Sequence, residues 1–268
     1  MENKNLILGK NIVPLQNYDP AILNSIKRSK LRNSILLPTE CYGLDRWTCY
    51  EFSWLGTNGV PKSNIISIEY SSDSSFFIES KSLKIYMNSY NNFIGSEESI
   101  KEQIISDLED LLKVEVKVKL MNEPYSFDPR KIYTNIDNVA FNGTITKVDK
   151  TLLSLSSSQE TNSFYISCNL FRSLCPVTGQ PDWASILINY KGKLIEEVSI
   201  LNYLLSYRYH QGFHEECVEL IFTHINSECS PEELSIEARF LRRGGIEINP
   251  FRSSLRNFSY LPYRDLRQ

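Results

Sequence analysis

The chain of 268 residues is 41% hydrophobic and 23% charged, with a formal net charge of −3; this is ordinary globular composition, enough for one large domain or two small ones. The mild acidity speaks against a protein dominated by nucleic acid or an anionic membrane. No apolar run approaches the ~18 residues of a membrane-spanning helix, and "MENKNLILGKNIV" lacks a signal-peptide pattern, so a cytoplasmic protein is expected.

The first forty residues carry no usable motif. "NIISIEY" and "FFIESKSLKIYMNSY" are rich in β-branched and aromatic residues and read as two strands, the second from about Ser75. "SEESIKEQIISDLEDLLK" then predicts a helix with Ile100, Ile104, Leu108, Leu111 and Leu112 on one stripe and capping-box spacing at Ser99 and Glu102. "VEVKVKL" alternates, which puts Val114, Val116, Val118 and Leu120 on one sheet face. Turn residues and a Ser-rich stretch between about residues 122 and 162 mark a junction, dividing the chain into domains 1–135 and 136–268. Beyond it, "DWASILINYKG" reads as a strand. "LIEEVSILNYLLSYRYH" and "EECVELIFTHINSEC" read as helices, and "LSIEARFLRRGGIEINPF" as a hairpin turning at Gly244 and Gly245. The expected class is α+β, two tandem halves built on antiparallel sheet. No residue-level repeat is visible, so duplication rests on element order alone.

Chemistry concentrates in few places. Cys175 stands before Pro176, which biases it toward extended backbone in a loop, and Asp182 follows in the same Pro-punctuated stretch. A carboxylic acid beside a thiol suits nucleophilic catalysis with proton donation; a buried cysteine and a turn aspartate fit as well. The six cysteines, Cys41, Cys49, Cys168, Cys175, Cys217 and Cys229, read as thiols rather than a disulfide framework. His214 and Glu215 stand at a helix start, where a carboxylate also suits the dipole. His210, His214 and Cys217 make a weak zinc set, with no ligand-spacing motif beside them. In "FFIESKSLKIY", Glu79 and Lys81 fit either the solvated face of a strand or a binding site with Ser80. The arginines of "RFLRRGG" and of the tail, interleaved with aromatics, fit a nucleic-acid surface, a phosphate site or a solvated face. No Rossmann or P-loop glycine motif is present.

Together, "ESKSLKIY", "CPVTGQPDW", "FHEECVE" and "RRGGIEINPFRS" resemble, in order, the signature set of the nitrile reductase family QueF in its long, two-module form. The resemblance implies two tandem tunnelling-fold (T-fold) modules, each an antiparallel sheet with helices on one side. The activity it implies is NADPH-dependent reduction of 7-cyano-7-deazaguanine to 7-aminomethyl-7-deazaguanine for queuosine in transfer RNA, with no metal and no direct nucleic-acid or membrane partner, by a homodimer. It makes Cys175 the nucleophile that forms a covalent thioimide and Asp182 the proton donor. It assigns Ile78, Glu79, Ser80, His214 and Glu215 to the substrate, and Ser80, Lys81, Arg243 and Gly244 to NADPH. Two rivals differ in test: a zinc-dependent pterin or GTP-ring enzyme of the same fold, with Cys175, His214 and Cys217 on the metal, and an RNA-binding module using the arginine-rich tail.

Overall fold

The computed structural model describes residues 7, 17–122, 132–141, 147–158, 160–265 and 267–268. Parts of the expected junction, 123–131, 142–146 and 159, lie outside the described residues. The chain forms two compact units. One comprises Met1–Leu31, Arg46–Pro124 and Arg242–Glu247; the other comprises Arg32–Asp45, Tyr125–Leu241 and Ile248–Gln268. Both are α+β, with largely antiparallel sheet and helices to one side.

The first unit opens with β1 (Ser25–Lys27) and the start of α1 (Ser29–Ile35). It continues with β2 (Tyr42–Leu55, from Arg46 onward), β3 (Pro61–Ser71), β4 (Phe76–Ile78), α2 (Ser80–Asn88), α3 (Glu97–Leu112) and β5 (Val116–Met121). The sheet runs β5-β3-β2, and β1 pairs with β4 apart from it. As expected, α3 buries Ile100, Ile104, Leu108 and Leu112, and β5 buries Val116 and Val118. Val114 precedes that strand and Leu120 is half-buried. The α3 cap sits one turn earlier than the spacing suggested: Ser96 accepts from the Ser99 amide at 3.1 Å.

The larger correction concerns "ESKSLKIY", which is helix and not strand. Only Phe76–Ile78 is extended; Glu79 is the N-cap of α2, and Ser82, Leu83, Tyr86 and Met87 are buried at helical spacing. The Ser82 hydroxyl donates to the Glu79 carbonyl at 2.8 Å and accepts from the Asn24 amide at 3.0 Å, fixing the first turn. Side chains that alternate as polar and apolar over five residues also satisfy one turn of helix, and here the tertiary contacts decide.

The second unit contains β6 (Thr134–Asn135), β7 (Thr161–Leu174), β8 (Pro181–Lys193), α4 (Glu197–Leu205), α5 (His214–Cys229), β9 (Glu233–Phe240) and β10 (Ile246–Ser253, from Ile248 onward). Its sheet runs β10-β9-β8-β7-β6, with β6 parallel to β7. Ile166, Cys168, Phe171, Ile186, Ile188, Ile236 and Phe240 pack with Tyr203, Val218, Phe222 and Ile225 of the helices in one core.

A residue-level repeat, invisible in the sequence, emerges from the elements. One constant sequence spacing separates Ser80 from Glu197 and Glu97 from His214, the first residues of helices of matching length. The same spacing relates the hydroxyl-bonded pair Tyr86 and Tyr90 to Tyr203 and Tyr207, and the left-handed C-caps Lys113 and Ser230. What recurs is backbone-fixing polarity and core, while surface identity has diverged.

Candidate active site

A β-bulge sets the face of the hairpin end. Ile166 pairs with Ile188 and Cys168 with Ile186; the register then shifts, so that Phe171 pairs with Ala184 and Ser173 with Asp182. One extra residue in β7 exchanges the faces of everything that follows. The helix side of the strand passes from even to odd positions, which puts Ser173 and the residue two further on, Cys175, on the side where Asp182 points. The turn closes from the Cys175 amide to the Gln180 carbonyl at 2.8 Å and from the Gly179 amide to the Cys175 carbonyl at 2.9 Å. Cys175 is 7% exposed and Asp182 6%.

The start of α5 is tied to the same hairpin end. The Leu174 amide donates to the His210 carbonyl at 2.8 Å, and the Gly212 amide donates to the Leu174 carbonyl at 3.1 Å. A Cβ at Gly212 would lie 2.8 Å from His210 Nε2 and 3.3 Å from Cys217 Sγ, so any side chain there requires the His210 ring to shift. Glu216 accepts from the Phe213 amide at 3.1 Å, closing the helix start. His214, the first residue of α5, consequently sets Nε2 at 3.3 Å from Asp182 Oδ2, and the neighbouring Glu215 is buried. The structure thus brings Asp182 and His214 into contact, and puts Cys175 in the turn that leads into β8 and Glu215 next to His214 on α5. Burial pushes the thiols of Cys49 and Cys217 well up, and those of Cys168 and Cys229 to about 12, away from the reactive thiolate. All six cysteines are thiols outside any disulfide, and among the described residues no cluster of three His, Cys, Asp or Glu side chains could hold a metal ion.

In the first unit, Glu79 is 1% exposed, correcting the solvated-strand alternative. Its amide donates to the Asn24 carbonyl at 2.9 Å, and the amide of buried Ile78 donates to the Tyr70 hydroxyl at 3.3 Å. Ser80 and Lys81 open α2 just beyond. Arg243 and Gly244 belong to this same unit, in the turn before β10. Gly244 and Gly245 both have positive φ, 60° and 80°, as a tight turn between twisted strands requires. A Cβ at Gly244 would meet the Lys84 side chain at 3.4 Å, so the bare glycine backbone lies against a lysine one turn from Lys81. This arrangement of cations, a helix N-terminus and an uncovered turn fits a dinucleotide phosphate.

Of the arginines in this stretch, Arg239 and Arg252 are buried, Arg267 donates to the Ser185 hydroxyl at 3.0 Å and Arg264 donates to the Gln268 carbonyl at 2.8 Å, whereas Arg242 and Arg256 are exposed.

Two family models match the chain: nitrile reductase, 7-cyano-7-deazaguanine-reductase N-term, over residues 15–120, and QueF-like protein, over residues 181–257. The NADPH-dependent 7-cyano-7-deazaguanine reductase of Desulfotalea psychrophila is 40% identical over 259 residues, covering 94% of each chain. The chain belongs to this reductase family. A Coxiella burnetii relative of the same name is 38% identical over 270 residues, 97% of this chain and 96% of its own. Both T-fold modules implied by the motifs are therefore present in tandem. Among solved structures, the apo archaeosine synthase QueF-Like covers 37% of this chain and 95% of its own, with 15% identity and a TM-score of 0.31, too slight a likeness to bear on the site. The reductase models span Glu79, Asp182, His214, Glu215 and Arg243, while Cys175 falls between them.

The sequence reading missed two contributors to this site. Gly212 looks like any loop glycine until its neighbours are known. Phe240, whose ring stacks on His214, is indistinguishable in sequence from its strand's other core residues.

Proposed function

We propose that this member of the reductase family reduces the nitrile of 7-cyano-7-deazaguanine to the aminomethyl group, through a covalent thioimide on Cys175, in the supply of queuosine for transfer RNA. The contact of Asp182 with His214 carries the reading: a carboxylate and an imidazole meet at the hairpin whose turn begins at the buried thiol of Cys175.

The chemistry follows from the groups present. Cys175 gives up its S–H proton to the imidazole of His214 as its sulfur bonds to the nitrile carbon and one π bond of C≡N opens; Asp182 delivers the proton that the nitrogen takes and is reprotonated from His214. A nitrile accepts hydride poorly and a thioimide accepts it well, so the covalent step divides a hard reduction into easier ones. NADPH, when bound, supplies the two hydrides that carry the carbon to the amine level. Cys175 leaves as thiolate between them and is ready for another round. Glu79 and Glu215, both buried, accept the parallel N–H donors of the guanine-like edge, where low solvent exposure strengthens such bonds; Ile78 and Ser80 flank Glu79. Ser80, Lys81, Arg243 and Gly244 hold the NADPH phosphates.

The test is NADPH oxidation with 7-cyano-7-deazaguanine as sole acceptor. Two NADPH should be consumed per aminomethyl product formed. No oxidation, or one NADPH per nitrile, contradicts the proposal.

A further inference from the structure

His214 lacks the usual device for fixing an imidazole. A functional histidine is normally oriented by a hydrogen bond on the nitrogen away from its partner; here Nδ1 is buried with no hydrogen-bond partner among the described residues. The ring instead lies flat on Phe240, with centroids 3.8 Å apart and planes within 10°. Phe240 is itself immobilised. It is fully buried in the last position of β9, paired with Ala184, two residues beyond Asp182 on β8, and meets Phe171 edge-on at 6.1 Å. Its carbonyl accepts from Gln268 Nε2 at 2.9 Å, and Gln268 also donates to Asn249 Oδ1 at 2.7 Å and accepts from the Asp265 amide at 3.0 Å.

We propose that Phe240 is a positioning residue for the reaction: its face sets the plane of His214 and so holds Nε2 against Asp182. The internal repeat separates this contact from the shared framework. The paired tyrosine hydroxyls occur in both units and belong to the scaffold. The repeat counterpart of His214 is Glu97, an exposed carboxylate with no ring to stack. The aromatic wall thus accompanies the imidazole and not the fold.

The proposal rests on the thioimide reading. It predicts that Phe240→Leu slows adduct formation with 7-cyano-7-deazaguanine on the order of 10-fold, since a small displacement of a proton-transfer group is costly, with a KM change under about 3-fold. The deciding measurement is a double-mutant cycle on that rate. In a His214→Ala background, Phe240→Leu should cost almost nothing further, because the residue it orients is gone. Equal losses in both backgrounds, or no loss in the first, overturn the proposal. Phe240→Met, which fills most of the volume without a flat face, carries the same cycle if the leucine variant does not fold. Failure of wild-type enzyme to form any adduct would instead overturn the thioimide reading, and this proposal with it.

Discussion

At the scale of single residues, the site works by removing alternatives. Cys49, Cys168, Cys217 and Cys229 are buried thiols whose ionisation is disfavoured, so substitution of any one by Ala should leave adduct formation within about 3-fold of wild type. Asp182→Asn keeps the shape but cannot give a carboxylic proton, and adduct formation should slow by about 10²-fold or more in stopped-flow mixing. Glu215→Gln turns an acceptor into a partial donor against the substrate's own N–H groups. Calorimetry should find binding weakened by about 1–3 kcal/mol, and unchanged affinity would remove Glu215 from substrate recognition. Lys81→Ala should raise the KM for NADPH while leaving the NADPH-free adduct rate alone.

At the scale of elements, what was legible in the sequence depended on periodicity. α3 and α5 showed full apolar stripes and β5 a clean alternation, and all three lie where expected. α2 was misread as strand because "FFIESKSLKIY" runs from three extended residues into helix with no apolar stripe long enough to separate the periods. β7 escaped notice because its bulge breaks the alternation at the point that aims Cys175. The buried ion network of the second unit was equally hidden. Arg252 donates to Asp45 Oδ1 at 2.8 Å and to Glu219 Oε1 at 2.8 Å, and Arg32 also donates to Glu219 Oε1, at 2.6 Å. These residues are far apart in sequence, and the tail arginines looked like surface. Removing one member of such a network exposes the desolvation cost of the others. Arg252→Met should therefore lower unfolding free energy by about 3–5 kcal/mol in a denaturant titration; a change below about 1 kcal/mol would show the network to be dispensable.

At the scale of the whole molecule, the two repeats share a framework but differ in the polar groups they bury. The turn of Cys175 recurs at Gly56, whose amide donates to the Val60 carbonyl at 2.9 Å, but no thiol stands there. Buried Glu215 corresponds to exposed Glu98, and buried Glu79 to exposed Glu196. Family motifs made the retained residues legible; the lost ones left no motif, so duplication could be read only from element order. One repeat difference predicts a pH response. Where the first unit joins Tyr86 to Asp107, the second joins Tyr203 to His224 Nδ1 at 2.9 Å. Desolvation first, then the charge of Lys150, pushes His224 down to about 4 from its ordinary 6.5. The unfolded chain therefore binds the extra proton more readily. This contribution to stability is intact above pH 6.5 and is lost as pH falls toward 4. In His224→Gln, melting temperature should fall less steeply over that interval than in wild type; equal slopes would assign the acid sensitivity elsewhere.

The central claim is that carbon–sulfur bonding at Cys175 precedes any hydride, and intact-protein mass spectrometry tests it most directly. Enzyme mixed with 7-cyano-7-deazaguanine and no NADPH should gain one substrate mass per chain, since the thioimide has no way forward without reductant and Gly56 offers no second nucleophile. Adding NADPH should discharge the adduct as aminomethyl product, and Cys175→Ala should gain no mass and turn over no nitrile. Turnover by Cys175→Ala at the wild-type rate, or a wild-type enzyme that reduces the nitrile without ever carrying the added mass, would contradict the account.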